Sequence, residues 1–161
     1  TLAPGLRMGY IVAPADLIAE LRALRRFMLR HPPANNQRAV ALFLSLGHHD
    51  TLVRRISAAC EERREKLYQA VGDILPDWNA ADIRGGTSLW LEGPPGLDSA
   101  VLAKSAARRS VLIEPGARFF LGRTQPTPFM RLGISSIAAQ QIEPGIRELA
   151  AAASEYRRVA A

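Results

Sequence analysis

Apolar residues recur along the chain with a helical period in its first half and in shorter, strand-like runs in its second. Met8 to Ala13 (MGYIVA) is a short apolar, partly β-branched run with Pro14 close behind. That pattern predicts a buried strand giving way to a helix with Pro14 at its first position. From Pro14 to about Arg30, Ile18, Leu21, Leu24 and Met28 return at helical spacing, and Asp16 stands near the positive end of the helix dipole. His31-Pro32-Pro33 must end this helix, because proline lacks an amide donor and restricts the residue before it. Asn35 or Asn36 is suited to cap a second helix running through Ala39, Ala41, Leu42 and Leu46 to a terminating Gly47. Asp50 or Thr51 is suited to cap a third, reaching about Ile74. Leu52, Ile56, Ala59, Cys60, Leu67, Val71 and Ile74 form its apolar stripe, an Arg/Glu cluster forms the polar one, and Pro76 breaks it.

Beyond Pro76 the texture changes. Thr87 to Glu92, Val111 to Ile113 and Phe129 to Gly133 read as strands, and Asp98 to Arg109 as a helix. A last helix is expected from about Ile142 to Arg158, with Pro144 near its start and Ile146, Leu149, Ala150 and Ala153 on its apolar side. The shift places a boundary near Leu75 to Asp77, dividing residues 1–75 from 76–161.

Composition narrows the class. A length of 161 residues with 48% hydrophobic content is that of one ordinary globular domain. With 22% charged residues and no apolar run near the roughly twenty needed to cross a bilayer, neither disorder nor a membrane span is expected. The chain opens on Thr1 with no basic segment leading into an apolar one, so it is expected to begin inside something longer. Its one cysteine, Cys60, lies within a helical pattern, which fits a reducing cytoplasm and excludes an internal disulfide or a zinc site. The 21 Lys and Arg against 15 Asp and Glu give a net charge of +6, a surplus that would favour nucleic acid or anionic ligands. However, Arg25, Arg26, Arg54, Arg55, Arg63, Arg64, Arg157 and Arg158 are spread over several helices among Glu61, Glu62, Glu65 and Glu155, as on ordinary solvated faces.

Several segments carry a resemblance. The opening TLAPGLRMGYIVAP resembles the stretch that follows the cofactor lysine in fold-type-I aminotransferases, which depend on pyridoxal phosphate. RHPPANNQRAVALFLSLGHHDTLVRRISAACEERREKL resembles the helices that join the large and small domains of that fold, and its His-Pro-Pro, Phe-x-x-x-Gly-His and Arg run are similar to the MocR branch of regulators. RGGTSLWLEGP (Arg84 to Pro94), VLIEPGARFF (Val111 to Phe120) and FMRLGISSI (Phe129 to Ile137) resemble the small-domain strands that close over the cofactor. The motifs keep the family's order over nearly the whole chain. MocR regulators join a winged helix-turn-helix of the GntR type to an aminotransferase-like domain that binds pyridoxal phosphate and an amine effector, and GGTSLWLEGP is similar to the taurine-sensing group among them. The resemblance therefore implies an α/β fold: the C-terminal portion of the aspartate aminotransferase-like fold, with long linking helices and a small α+β subdomain.

It also implies roles for two arginines. Arg7, in APGLR, matches the arginine that grips the cofactor phosphate, a task suited to a planar, permanently charged guanidinium with paired donors. Arg131, in FMRLGISS, matches the arginine that holds a substrate's carboxylate through a fork of hydrogen bonds, a fork that a sulfonate could also use. Read without the resemblance, each is an ordinary surface cation, and Arg131 an edge-strand member of an ion pair worth about a kcal/mol or less. Gly85 and Gly86 would either let backbone approach a ligand or make a plain turn before the strand. Trp90 alternates with Leu89 and Leu91, which favours a core or subunit-contact role over ligand stacking. His48 and His49 are adjacent and poorly placed to share a metal.

Chemistry with pyridoxal phosphate starts from a covalent bond between a lysine amine and the cofactor aldehyde. Lys66 and Lys104 match no family position for that lysine, which is expected to precede Thr1. The chain alone is therefore expected to form no such bond and to transaminate nothing. The expected partners are a second copy of the chain, a small amine or amino-acid effector, and DNA only through a winged helix-turn-helix outside this sequence.

Overall fold

A computed structural model describes residues 4–83, 85–122 and 128–160, so Arg84 at the head of RGGTSLWLEGP, and the side chains of Arg157 and Arg158, lie outside the described residues. The chain folds as two compact units, Thr1–Ser57 and Ala58–Ala161. No described helix is long and apolar enough to cross a membrane.

The first unit is helical. After a single 3-10 turn at Pro4–Leu6 come α1 (Ala15–Met28), α2 (Ala34–Ser45) and the start of α3 (His48–Ile74). The strand expected at Met8 to Ala13 does not form. Tyr10 and Val12 are 91% and 87% exposed, and no described strand pairs with the run, so its amides have no ladder to join. Pro14 sits one position before α1 rather than within it, its carbonyl accepting from Ile18 N at 3.0 Å. The two prolines stop the chain as expected, but α2 starts directly after Pro33 without a side-chain cap. Asn35 and Asn36 lie inside the helix, and Asn36 spends its amide on the carbonyl of Leu6, donated at 3.1 Å. Gly47 takes φ +74, a left-handed turn that glycine adopts without steric cost, and α3 begins at once with His48. Asp50 and Thr51 therefore lie in its first turn and do not precede it.

The second unit holds the core. The later part of α3 buries Leu67, Ala70 and Val71, and Leu75 continues that face past the helix end. Four antiparallel strands follow in the order β1-β2-β4-β3: β1 (Asn79–Ala80), β2 (Ser88–Glu92), β3 (Glu114–Pro115) and β4 (Phe129–Gly133). Period-2 alternation turns Leu89, Leu91, Met130 and Leu132 inward. Onto that face pack α3, α4 (Ser99–Arg108) through Leu102 and Ala106, and α5 (Ile142–Ala160) through Ile142, Ile146, Leu149, Ala152 and Ala153. The strand expected at Val111 to Ile113 is displaced. Ser110 at φ +62 releases the chain from α4, Val111 and Ile113 lean on the core without ladder bonds, and pairing begins only at Glu114, opposite Arg131. Because packing assigns the second half of α3 to the strand unit, the division in space falls at Ser57/Ala58, inside that helix.

Candidate functional site

The outward face of the sheet gathers aromatic and charged side chains. In the register of β2 with β4, Trp90 stands opposite Arg131, and β3 sets Glu114 opposite the same arginine from the other side. After Pro115, which cannot donate to a ladder, the chain tightens into a 3-10 turn at Gly116–Phe119. Gly116 is buried against Phe129: a Cβ there would lie 2.5 Å from the Phe129 carbonyl oxygen, so only glycine lets the turn sit this close to β4. That approach lays the Phe119 ring 5.2 Å from the Arg131 guanidinium carbon.

Trp90 is the centre of the aromatic group. Its ring stacks on Phe129 at 5.9 Å and 15°, meets Phe119 edge-on at 5.5 Å and tilts against Phe120 at 5.9 Å. Offset and edge contacts of this kind hold flat side chains firmly, so a half-buried apolar floor adjoins Arg131. The arginine donates from Nε to Glu114 Oε2 at 2.7 Å, and its Nη2 pairs with the same oxygen. Arg118 Nη1 reaches the other oxygen, Oε1, at 3.2 Å. A carboxylate thus lies between two guanidiniums, with Arg131 fixed in plane by the ring beside it. Nothing in the sequence alone marks Glu114, Arg118 or the phenylalanines as members of one site. IEPGARFF has no regular alternation to mark them, and their grouping becomes visible only once the strand register is known.

Arg7 belongs to the first unit. It is exposed, has φ +51, and directly follows the Pro4–Leu6 turn that Asn36 ties to α2. A non-glycine residue in the left-handed region is uncommon and carries some conformational cost. Among the described residues no carboxylate pairs with it, so it has the charge and open donors that a phosphate dianion requires.

The remaining candidates hold little chemistry. Lys66 donates to Glu62 at 2.9 Å, one turn away on α3, and that hydrogen bond, then its charge, hold the Glu62 carboxyl below its ordinary value. Lys104 is exposed on α4, on the opposite side of the sheet from Arg131. His49 Nδ1 lies 3.2 Å from its neighbour Asp50, His48 tilts against Phe43, and no group of three metal-ligating side chains occurs among the described residues. Gly85 and Gly86 have φ of +150 and +78, a turn that only glycine takes readily, and each has open space where a Cβ would stand. Of the arginines expected on solvated helix faces, Arg64 pairs with Glu61 at 3.5 Å, one turn away on α3.

A small antiparallel sheet backed by helices and an arginine-bearing outer face define the C-terminal portion of a fold-type-I transferase. The pattern of the aminotransferase class I and II family matches residues 2–149, and the chain belongs to that family. Within that family the chain is similar to transcription regulators, MocR among them. It is 45% identical over 94% of its length to the HTH-type transcriptional regulator TauR of Rhodobacter capsulatus, and 29% identical over 94% to the probable rhizopine catabolism regulatory protein MocR of Rhizobium meliloti. The chain spans 31% of the length of each. Among solved structures it is similar to the alpha-aminoadipate aminotransferase of Thermus thermophilus, complexed with N-(5'-phosphopyridoxyl)-L-leucine. The TM-score is 0.87 at 25% identity, over 97% of this chain and 40% of that one.

Proposed function

We propose that the chain is the effector-binding and dimerisation part of a pyridoxal phosphate-dependent MocR-type transcription regulator of the cytoplasm. Residues 1–75 would end the large domain and supply the linking helices, and 76–161 would form the small subdomain. The observation that carries the reading is the 45% identity to a regulator across nearly the whole chain. Arg7 would hold the cofactor phosphate and Arg131 the acid group of an amino acid or related amine, with taurine one candidate. Bound there, pyridoxal phosphate supplies an electron sink next to the ligand amine. This chain's own residues would bind and orient: Arg131 would fix the acid group, beside the half-buried apolar floor centred on Trp90. The lysine that would bond the cofactor lies outside the sequence in this reading, as does a winged helix-turn-helix that carries the DNA contacts.

The alternative is the C-terminal part of an aminotransferase that passes amino groups between an amino acid and a 2-oxo acid. It shares both arginines, and the likeness to the Thermus enzyme favours it. The protein encoded by the complete reading frame separates the two. A regulator loaded with pyridoxal phosphate changes its affinity for operator DNA on addition of taurine or 4-aminobutyrate, and Arg131→Ala abolishes the response. Steady conversion of an amino acid to its 2-oxo acid, without DNA binding, would establish the enzyme instead.

A further inference from the structure

The proposed acid-binding arginine is already half engaged. Glu114 takes the Nε side of the Arg131 guanidinium, leaving the Nη1 side and the outer N–H of Nη2 for a ligand. The arginine side chain is 46% exposed and that of Arg118 63%, whereas Glu114 between them is at 29%. Two guanidiniums and one carboxylate leave a single net positive charge at this point of the sheet. An acid group arriving at the open side of Arg131 cancels that charge. A ligand bringing a second acid group meets Glu114 with nothing left to neutralise it.

We infer that Glu114 is a positioning and specificity-determining residue. It holds the Arg131 guanidinium in plane above Phe119 and restricts the ligand to amines carrying one acid group, carboxylate or sulfonate, against dicarboxylic amino acids. The aromatic floor agrees with this, since Trp90, Phe119 and Phe129 offer the ligand's arm an apolar surface, and the second guanidinium among the described residues, Arg118, is itself engaged by Glu114. Exclusion here works through an unfavourable charge, one of the two ways in which a site discriminates between ligands. The inference rests on the reading of Arg131 as the acid-binding residue.

The test uses the protein of the complete reading frame, loaded with pyridoxal phosphate, and calorimetric titration with taurine, 4-aminobutyrate, L-aspartate and L-glutamate. Wild type should favour the single-acid ligands. Glu114→Gln should raise the affinity for the two dicarboxylates by about tenfold and narrow the preference accordingly, the size expected for one nearby charge in a partly wet site. Glu114→Asp, which keeps the charge, should retain the preference. A Glu114→Gln protein with an unchanged preference, or one weakened equally toward all four ligands, overturns the inference. So does a wild type that binds the dicarboxylates equally well. The underlying reading has its own control: if Arg131→Ala binds all ligands as wild type does, that reading fails whatever Glu114→Gln shows.

Discussion

At the scale of single residues, the most constrained position in the candidate site carries no functional group. Gly116 lies where a methyl would meet the carbonyl oxygen, carbonyl carbon and Cβ of Phe129 at 2.5 to 2.8 Å, and two of those three atoms are backbone that cannot swing aside. Gly116→Ala must push the 3-10 turn off β4, which is expected to destabilise the protein by about 1–3 kcal/mol, in the range of other overpacked sites. It should also lift Phe119 from Arg131 and loosen the Glu114 pair. A lowered urea midpoint together with weakened ligand binding would confirm the link, and a wild-type midpoint would refute it. Residues of this kind divide sharply in how they can be read from sequence. Arg131 can be proposed from sequence because its neighbours resemble a family motif. Glu114 cannot, because what matters about it is the residue opposite, and that register is fixed by a strand only two residues long.

At the scale of elements, the ends of helices explain both what was legible and what was not. Asp98 accepts from Ala100 N at 2.8 Å and Val101 N at 3.3 Å, an N-cap readable in advance since an acid precedes a helical apolar pattern. Asp98→Ala should cost about 1 kcal/mol, and Asp98→Asn should recover most of it, as thermal unfolding of the two variants would show. Asn35 and Asn36 had the same credentials, but prolines had already set the backbone for helix entry. β1 and β3, of two residues each, are too short to leave a periodic signal at all.

The contact between α4 and α5 adds a dependence on pH. Arg109 donates to Glu148 at 2.8 Å and also pairs with Glu155, whose carboxyl that hydrogen bond holds below the ordinary glutamate value of 4.5. A carboxyl lowered by folding contributes stability above its unfolded value and loses it as pH falls through the lowered one. Arg109→Gln should therefore reduce Tm at pH 7, with the gap to wild type closing below about pH 4.5. The group is exposed, so the gap should be small and should shrink in high salt. A gap independent of pH and salt would assign the effect to packing of the arginine stem instead.

At the scale of the molecule, burial is unevenly shared. The core cluster runs from Leu67 to Ala153, while α1 and α2 bury no residue and leave Phe27 90%, Met28 72% and Leu44 51% exposed. The helical periods that predicted these two helices were read correctly, but periodicity reports only that a helix has an apolar side. It says nothing of what covers that side. Local stability follows from the difference, because amides in elements with few buried contacts open cheaply and those in a packed core open only with the whole. In the chain of residues 1–161, backbone hydrogen exchange should be fast throughout α1 and α2 and slowest in β2, β4 and α5. Brief trypsin treatment should cut first at Arg22, Arg25, Arg26 and Arg38, and leave a resistant piece close to residues 58–161. Protection of α1 amides as strong as that of β4 would contradict this account.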